Sequence, residues 1–241
     1  MGLFSQRADR AWPKRSFDLV VAALLLILLS PFLVLCGVAV LLGGGPPILF
    51  RQERVGQCGR SFKIVKFRTM RSAPGADVTA AGDARVTAVG SILRWFKLDE
   101  LPQLWNVLVG DMSMVGPRPE LPRYVRGQMH AYRAILLLRP GVSDFASLIF
   151  RDEEEVLRRQ LTQPAFYERV LLPRKLALAR LYKQRRSLCV DLQLVVATAC
   201  AIFLGSRSTR LLLGVRLYNK ARGGIVEPVV HESEGGRMTA Q

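Results

Sequence analysis

The fold is decided by residues 19–42, which read LVVAALLLILLSPFLVLCGVAVLL and contain no charged side chain. At about 1.5 Å of rise per residue, a straight helix of this length would span the hydrocarbon core of a bilayer. Ser30 and Pro31 stand at its midpoint, and a proline inside a helix removes a backbone hydrogen bond and kinks the helix. The stretch therefore predicts a membrane helix that is broken at Ser30-Pro31.

Basic residues flank this apolar run on both sides. They are Arg7, Arg10, Lys14 and Arg15 before it, and Arg51 and Arg54 after it. Positive charge beside a membrane segment favours the cytoplasmic side, so both ends prefer the same face of the membrane. A re-entrant helix that enters and leaves through one leaflet satisfies this preference. The composition leaves a kinked helix that spans the bilayer as an equal alternative.

The chain of 241 residues is strongly basic and half apolar, with a formal net charge of +16 and 50% hydrophobic residues. That combination favours contact with an anionic membrane surface, with polyphosphate ligands, or with both. The charge would also suit nucleic-acid binding, but the chain contains no nucleic-acid-binding motif, and its basic residues are not set among stacking aromatic residues. The sequence therefore predicts no nucleic-acid partner.

Cysteine and histidine are too scarce to carry the chemistry. The four cysteines form no CxxC pair, which is typical of a reduced cytosolic chain rather than a zinc site or a disulfide scaffold. The two histidines, His130 and His231, are too few for a His-rich metal site and disfavour a Ser-His-Asp triad. Acid–base or nucleophilic chemistry is therefore left to carboxylates.

The region after the apolar run predicts a β-hairpin followed by short helices. ILFRQE (48–53) and SFKIVKF (61–67) are β-prone runs around a glycine-containing turn. VGSILRWFKL (89–98) predicts a short amphipathic helix. A second helix should begin at Pro102, which suits a first turn, and end at Gly110.

The remainder of the chain predicts more helices and two irregular segments. Helices are expected over 120–139, over 152–160 with acids in the first turn, and over 166–186. A mobile loop is expected at 71–87 and a disordered tail at 223–241. The apolar run 188–205 could form a second spanning helix. Asp191 and Gln193 within it, and the basic stretch that follows, favour a buried or interfacial helix.

Asp99 and Glu100 are adjacent carboxylates immediately before a predicted helix start. The positive end of the helix dipole keeps carboxylates ionised at such a position. Neighbouring side chains point in different directions, so the pair suits one nucleophile or metal ligand with one helper better than a matched acid–base pair. The alternative is that both residues only cap the helix.

Several cations could serve these acids. Arg118 lies between Pro117 and Pro119, whose fixed φ angles would hold a guanidinium in one direction, as phosphate binding requires. Lys66 and Arg68 fall on one face of the second predicted strand. The alternatives are an extended connector for the Pro-Arg-Pro segment and a solvated face for the strand.

Carboxylates beside cations at a membrane favour phosphoryl chemistry. A carboxylate attacks phosphorus only when the negative charge of the phosphate is neutralised, which Mg²⁺, Arg and Lys do in phosphoryl transfer. Mg²⁺ needs few protein carboxylates, because it also holds substrate phosphates. Asp99, Glu100 and Asp111 are sufficient for this, and Arg94 and Lys97 stand close by in the chain.

Four stretches of the chain are similar to one known family. They are FRQERVG (50–56), KFRTM (66–70), LDELPQLWNVLVGDMSMVGPRPE (98–120) and RPGV (139–142). They resemble the bacterial sugar transferases, the monotopic phosphoglycosyl transferases that begin glycan assembly on a polyprenyl phosphate carrier. The apolar run with its central Ser-Pro also fits, and the similarity covers roughly residues 14–205.

The resemblance implies an enzyme that takes a nucleoside-diphosphate sugar, usually a UDP-sugar, together with Mg²⁺. Asp99 would form a covalent phospho-sugar intermediate and release UMP. Polyprenyl (undecaprenyl) phosphate would then attack, giving a polyprenyl-diphosphate-sugar. Glu100 would assist or bind the metal with Asp99. The cations expected to contact the phosphates or the nucleotide are Lys66, Arg68, Arg94 and Arg118.

The resemblance also implies an architecture and a location. The expected fold is mainly α with a small β-hairpin, an α+β arrangement. Its parts are a basic N-terminus with a re-entrant helix (1–45), a cytosolic catalytic domain with C-terminal interfacial helices (46–222) and the tail (223–241). This short form would lack the N-terminal membrane bundle of larger relatives. It would lie on the cytoplasmic face of the bacterial inner membrane. The sequence does not give the oligomeric state, and a homodimer through the C-terminal helices is compatible with it.

Residues 142–155, VSDFASLIFRDEEE, depart from the Gly-Trp-Ala-Gln-type stretch that many members carry after RPG. The identity of the sugar therefore stays open, as do the carrier length and the glycan pathway. The alternative to an enzyme is a non-catalytic, membrane-bound basic protein that binds anionic lipid or a partner enzyme.

Overall fold

The computed structural model describes residues 12–71, 81–159, 163–204 and 212–214, which are mostly helical with two small sheets. The helices are α1 (Trp12–Gly44), α2 (Ala88–Trp95), α3 (Gln103–Val109), α4 (Pro122–Gly127), α5 (Met129–Tyr132), α6 (Phe145–Ile149), α7 (Glu153–Arg158), α8 (Gln163–Phe166), α9 (Leu172–Arg185) and α10 (Leu188–Leu204). A π turn, Tyr167–Leu171, joins α8 to α9. The strands are β1 (Leu49–Val55), β2 (Ser61–Phe67), β3 (Ser113–Val115) and β4 (Gly141–Ser143).

The predicted class, mainly α with a small β-hairpin, is confirmed. Some predictions fall on residues that the structure does not describe. They are the basic residues Arg7 and Arg10, most of the loop 71–87, and the tail 223–241.

Helix α1 is the long apolar helix that the sequence predicts, and it runs through Pro31 without ending there. Pro31 has no N–H to donate to the carbonyl of Ile27, four residues earlier. The Ser30 hydroxyl donates to that carbonyl instead, at 2.8 Å. Helix α1 therefore does not end at Ser30-Pro31, and the kink predicted there stays a prediction.

Helix α1 is buried near both of its ends and exposed in its middle. Ala22 joins the main hydrophobic core, while Cys36 and Val40 belong to a second, smaller cluster near the other end. Between them Ile27 and Leu28 are 73% and 75% exposed. Among the described residues, α1 alone is long and apolar enough to cross a membrane.

A buried polar cluster fixes the N-terminal end of α1, and we call it the anchor cluster. It consists of Lys14, Asp18, Ser113, Tyr182 and Asp191. Asp18 accepts hydrogen bonds from the Ser113 hydroxyl at 2.8 Å and from the Met114 N–H at 3.0 Å. Asp191 accepts from Lys14 and from the Tyr182 hydroxyl, each at 2.7 Å. The anchor cluster therefore ties α1 to β3, α9 and α10.

Strands β1 and β2 form the predicted antiparallel hairpin, with Leu49 opposite Phe67. Helices α2 and α3 confirm the two short helices predicted after it. The hydroxyl of Thr87 caps α2 by accepting from the Gly90 N–H at 2.9 Å. Helix α3 ends at Gly110, whose φ of 99° lies in the left-handed region that favours glycine.

Strands β3 and β4 form a parallel pair that was not predicted from the sequence. Each has three residues, which is too short for an alternation pattern to show. Gly116, just after β3, and Gly141, the first residue of β4, approach closely: a Cβ on Gly141 would overlap the backbone of Gly116, and a Cβ on Gly116 would overlap the carbonyl of Arg139. The contact places the VGPRP motif (115–119) against the RPG motif (139–141).

The single helix predicted over 120–139 is wrong, because α4 and α5 divide that segment. Gly127, a poor helix former, ends α4, and Gln128 leaves the helical conformation with φ −133° and ψ 34°. Helix α7 has the predicted acidic first turn. The predicted helix over 166–186 is interrupted by the π turn, which lies just before Pro173, where an α-helical hydrogen bond cannot form.

The apolar run 188–205 forms helix α10, and one side of this helix belongs to the core. Asp191, Leu194 and Ala197 are buried, whereas Leu192 and Val196 are exposed. This pattern favours the buried placement over the second spanning helix.

Candidate active site

A tight turn between α2 and α3 carries the two acids. Asp99 and Glu100 lie in a 3₁₀ turn, Leu98–Glu100, and Lys97 just before it has a left-handed φ of 57°. Non-glycine residues seldom adopt this conformation, which here redirects the chain sharply after α2. Glu100 accepts hydrogen bonds from Lys66 and Arg118. The alternative that both acids only cap the helix therefore does not hold for Glu100.

Glu100 is held between two cations from distant parts of the chain. Lys66 donates to Oε1 at 2.7 Å, and Arg118 donates to Oε1 at 2.6 Å and to Oε2 at 3.3 Å. Burial alone would raise the pKa of Glu100, but the charges of Arg118 and Lys66 outweigh it and hold the pKa well below its usual range. Glu100 in turn raises the pKa of Arg118. We call these three residues the Glu100 cluster, and it carries a net positive charge.

Asp99 differs sharply from its neighbour. Its side chain is buried, with 7% of the residue exposed, and Oδ1 has no hydrogen-bond donor among the described residues. Burial raises the pKa of Asp99, Lys66 opposes the rise and Glu100 adds to it, while Lys97 and Arg94 also favour the charged form. An unpaired buried carboxylate oxygen is costly for a fold. The charges of Lys66, Lys97 and Arg94 act on this carboxylate. The unpaired oxygen of Asp99 is therefore suited to act as a nucleophile or a metal ligand.

The Pro-Arg-Pro segment aims Arg118 at the acids. The Pro117 carbonyl accepts from the Gly141 N–H at 3.0 Å, which attaches the segment to β4. Besides Glu100, Arg118 contacts the hydroxyl of Ser147 at 3.3 Å. The alternative of a plain extended connector is not what the structure shows, because the guanidinium is held on both sides.

Arg94 lies beside Asp99 but outside the Glu100 cluster. Its Nη2 donates to Oε1 of Glu154 at 2.6 Å, and its Nε donates to Oε2 at 3.4 Å. Its Nη1 lies 3.4 Å from the Thr69 hydroxyl. Glu154 was not predicted from the sequence, because nothing in the local pattern marks a partner sixty residues from Arg94.

Two predicted residues are not brought to this site. The Arg68 guanidinium donates to backbone carbonyls at the C-terminal end of α1, where helical donors are missing and a cation is favoured. The acceptors belong to Gly44, Gly45 and Pro46. Asp111 is exposed and accepts a 3.4 Å hydrogen bond from the Asn106 amide. Lys66 and Arg118 are therefore the two predicted cations that contact Glu100.

Asn106 fixes the position of α3 against the hairpin. Its side chain accepts from the Val65 N–H at 3.0 Å and donates to the Lys63 carbonyl at 2.9 Å, so it extends the edge of β2. The contact fixes α3, and with it the turn that carries Asp99, relative to the strand that carries Lys66. A signal for it exists in the sequence, since Asn106 is the polar interruption of the apolar run LWNVLV (104–109).

The site can supply a Mg²⁺ ion with one carboxylate more readily than with two. Oδ1 of Asp99 is an oxygen donor without a partner. Both oxygens of Glu100 are already occupied by Lys66 and Arg118. No group of three or more His, Cys, Asp or Glu residues suited to a metal occurs in the described part of the chain. One or two carboxylates suffice where substrate phosphates complete the coordination, so Asp99 fits this role.

An exposed apolar face lies on α2 and α3, directly before and after the turn with the acids. Its members are Ile92, Trp95, Phe96, Trp105 and Val109. Both helices pack against α1. Tryptophan is enriched at membrane–water interfaces, where an apolar ring with one polar group is favoured. Asp99 therefore lies close in the chain to a surface that suits lipid contact.

Comparison with known proteins finds one matching family, described as bacterial sugar transferase, over residues 9–205. A UDP-glucose:undecaprenyl-phosphate glucose-1-phosphate transferase of Caulobacter vibrioides is 48% identical over 141 residues, which are 56% of this chain and 53% of that protein. A UDP-N-acetylgalactosamine-undecaprenyl-phosphate N-acetylgalactosaminephosphotransferase of Aeromonas hydrophila is 40% identical over 147 residues, which are 58% of this chain and 34% of that protein.

A shorter relative matches over more of its length. The exopolysaccharide production protein ExoY of Sinorhizobium fredii is 34% identical over 213 residues, which are 81% of this chain and 87% of that protein. The match spans about half of the Caulobacter protein, a third of the Aeromonas protein and most of ExoY.

Proposed function

The chain belongs to the bacterial sugar transferase family, and we propose that it moves a sugar phosphate from a UDP-sugar to polyprenyl phosphate with release of UMP. The names of the Caulobacter and Aeromonas relatives describe transfer to undecaprenyl phosphate, with glucose in one and N-acetylgalactosamine in the other. The observation that carries the proposal is Oδ1 of Asp99, a buried carboxylate oxygen without a donor among the cations Lys66, Lys97 and Arg94.

In the first step, Asp99 attacks the phosphorus atom that bears the sugar. A bond forms between a carboxylate oxygen and phosphorus, the bond from phosphorus to the bridging oxygen breaks, and UMP leaves with that oxygen. In the second step, an oxygen of polyprenyl phosphate attacks the same phosphorus and frees Asp99. A poorly solvated carboxylate is a stronger nucleophile once ionised, and the nearby cations favour its ionised form.

Glu100 has a different task from Asp99. It stays ionised and holds Lys66 and Arg118 in fixed positions, while their remaining N–H groups can meet phosphate oxygens. Preorganised cations cost no rearrangement when charge develops on the transferred group. Mg²⁺ held by the Asp99 carboxylate oxygen that does not attack phosphorus, together with substrate phosphate oxygens, would further neutralise the phosphate charge.

We also propose that α1 is re-entrant and that the protein lies on the cytoplasmic face of the membrane. Support comes from α1 itself, because both of its ends pack against the rest of the chain while its middle is exposed. The apolar face on α2 and α3 adds a second surface for lipid. A polyprenyl phosphate presents its phosphate at the membrane surface, where Asp99 could meet it.

The reaction is tested with a panel of UDP-sugars, undecaprenyl phosphate and Mg²⁺, using the full chain in lipid nanodiscs. We expect UMP release with one or more sugars, and loss of this release on removal of Mg²⁺ with EDTA. Without the acceptor lipid, intact mass spectrometry should find one phospho-sugar on the wild type and none on Asp99→Asn. An Asn variant that turned over like the wild type would reject Asp99 as the nucleophile. A folded wild type that released no UMP across the panel would favour the non-catalytic lipid-binding protein.

The topology is tested by cysteine labelling in intact cells, in a background without the native cysteines. Single cysteines at Ser5 and Arg60 flank α1 on its two sides. Re-entrance predicts that a membrane-impermeant maleimide labels neither site until the inner membrane is opened. Labelling of one site alone in intact cells would establish a spanning helix.

A further inference from the structure

The acidic run at the start of α7 does not form a plain solvated face. Glu153 accepts from Lys175 of α9 at 2.8 Å, whereas Glu155 pairs with Arg158 on its own helix. Glu154 instead reaches across to Arg94 of α2. Each of the three neighbouring carboxylates therefore serves a different element, and Glu154 alone among them contacts the surroundings of Asp99.

The contact between Glu154 and Arg94 has a side-on geometry. The carboxylate takes the Nε edge and one N–H of Nη2, and the Thr69 hydroxyl lies near Nη1. An arginine carries two N–H bonds on each Nη. One N–H on each Nη therefore remains for another acceptor, and two N–H bonds from one guanidinium match two phosphate oxygens.

Arg94 stands directly before the turn that carries the proposed nucleophile. Its backbone carbonyl accepts from the Lys97 N–H at 3.1 Å, and Asp99 follows within the 3₁₀ turn. The Arg94 charge also favours the ionised form of Asp99. A small rotation of this guanidinium would therefore change both its electrostatic effect on the Asp99 carboxylate and the direction of its free N–H groups.

Glu154 itself is held in place on both sides. Its backbone carbonyl accepts from the Ala81 N–H at 2.9 Å, and the neighbouring Glu153–Lys175 pair fixes the first turn of α7 on α9. Its side chain is 33% exposed, so the ion pair adds little to stability in the way of surface pairs. The main effect of the Glu154–Arg94 contact is therefore on the orientation of the Arg94 guanidinium rather than on the stability of the fold.

We infer that Glu154 is a positioning residue for the proposed transfer: it holds Arg94 side-on, so that the free N–H groups of Arg94 bind the diphosphate of the nucleotide sugar beside Asp99. This inference rests on the proposed function. It gives the segment 142–155, which departs from the common family pattern, a task at the site. Ser147 of the same segment contacts Arg118, so the segment supports a second arginine as well.

The test compares Glu154→Gln with Glu155→Gln, its neighbour in the same helix, whose partners Arg158 and Arg159 lie on α7 or just after it. Glutamine keeps the length of the side chain and removes the charge that grips the guanidinium. Because misplacing a binding group by about 1 Å can cost up to about 100-fold in rate, we expect kcat/KM to fall about 10-fold in Glu154→Gln, mainly through KM. Glu155→Gln should match the wild type. Equal values for both variants, or a lower KM in Glu154→Gln, would overturn the inference.

A double-mutant cycle separates positioning from a merely structural role. If Glu154 acts through Arg94, then Glu154→Gln should change kcat/KM less than about 2-fold in an Arg94→Ala background. A full 10-fold loss in that background would contradict the inference. Thermal unfolding of Glu154→Gln should lie within about 3 °C of the wild type, because the pair is partly exposed.

Binding of UDP to the Asp99→Asn protein, measured by calorimetry, distinguishes a failure of the role inferred for Glu154 from a failure of the proposed reaction. UDP carries the diphosphate but cannot be turned over. We expect Glu154→Gln in this background to weaken UDP binding by about 5-fold or more, and Glu155→Gln to leave it unchanged. A wild type that binds UDP but transfers no sugar phosphate would reject the proposed reaction, while the binding difference would still decide the role of Glu154.

Discussion

The anchor cluster and the candidate active site both bury carboxylates, but they treat the carboxylate oxygens differently. In the anchor cluster both oxygens of Asp18 and of Asp191 accept hydrogen bonds. In the active site Glu100 is equally saturated, whereas Oδ1 of Asp99 has no donor among the described residues. Because an unpaired buried polar atom is unfavourable for folding, this difference separates acids that hold the structure from the acid that is kept for chemistry.

Asp99→Asn tests this comparison most strongly. Loss of the nucleophile should lower UMP release by at least about 10³-fold. The thermal midpoint at neutral pH should stay the same or rise, because a neutral amide avoids the cost of burying a charge. Turnover and thermal unfolding are measured on the same preparation. A fall in the midpoint of the size expected for the anchor cluster would show that Asp99 is structural after all.

Asp18→Ala should have the opposite profile. It leaves the Ser113 hydroxyl, the Met114 N–H and Lys14 without this buried acceptor, which we expect to cost about 3 kcal/mol. For a chain of this size that loss corresponds to a fall of roughly 6–12 °C in the thermal midpoint. Asp111→Ala, at an exposed carboxylate, is the matched control and should change stability by less than about 0.5 kcal/mol. Equal midpoints for the two variants would contradict a structural role for the anchor cluster.

Glu100→Gln should show an intermediate profile, because Glu100 is saturated like an anchor residue but lies in the active site. We expect a loss of about 2 kcal/mol, since two cations lose their common anion. Because the folded pKa of Glu100 is lowered, its contribution is present above its unfolded pKa and is lost as the pH falls through the folded pKa. The gap in thermal midpoint between wild type and variant should therefore be steady from about pH 8 to 5 and narrow below about pH 4. A gap that widened on acidification would have the wrong sign.

Ser30→Ala is expected to give the smallest effect, and it extends the comparison to the membrane helix. The variant leaves the Ile27 carbonyl without the donor that replaces the Pro31 N–H. We expect a loss of about 1 kcal/mol, which corresponds to roughly 2–4 °C in nanodiscs. Ser30→Thr keeps the hydroxyl and serves as the control. Identical midpoints for Ala and Thr would mean that the hydroxyl does not stabilise the helix.

Local features were predictable from the sequence because they depend on neighbouring residues. The hairpin, α2 and α3 follow from runs of β-prone or amphipathic residues and from the proline and glycine that bound α3. The helix predicted over 120–139 failed where Gly127 and Gln128 interrupt it. Strands β3 and β4 escaped prediction because each exists only through pairing with the other, across more than twenty residues.

The types of residue in the candidate site were predictable from the sequence, but which side chains form hydrogen bonds with one another was not. The adjacent acids and the Pro-Arg-Pro segment are visible as a motif, and the scarcity of histidine directs attention to them. That Glu100 is saturated and Asp99 is not depends on where Lys66 and Arg118 arrive in three dimensions. The same holds for Arg68, which the end of α1 binds, and for Glu154, which no local pattern connects to Arg94.

The close approach of Gly116 and Gly141 limits how this active site could be moved into another protein. The acidic motif and its arginine occupy one continuous stretch, 97–120, and could be mistaken for a portable module. The backbone that aims Arg118 is nevertheless seated against residues 139–141, and a Cβ at either glycine would separate the two. A graft of the first stretch alone would carry the reactive groups without their alignment. The smallest transferable unit is therefore discontinuous, and it includes the second glycine.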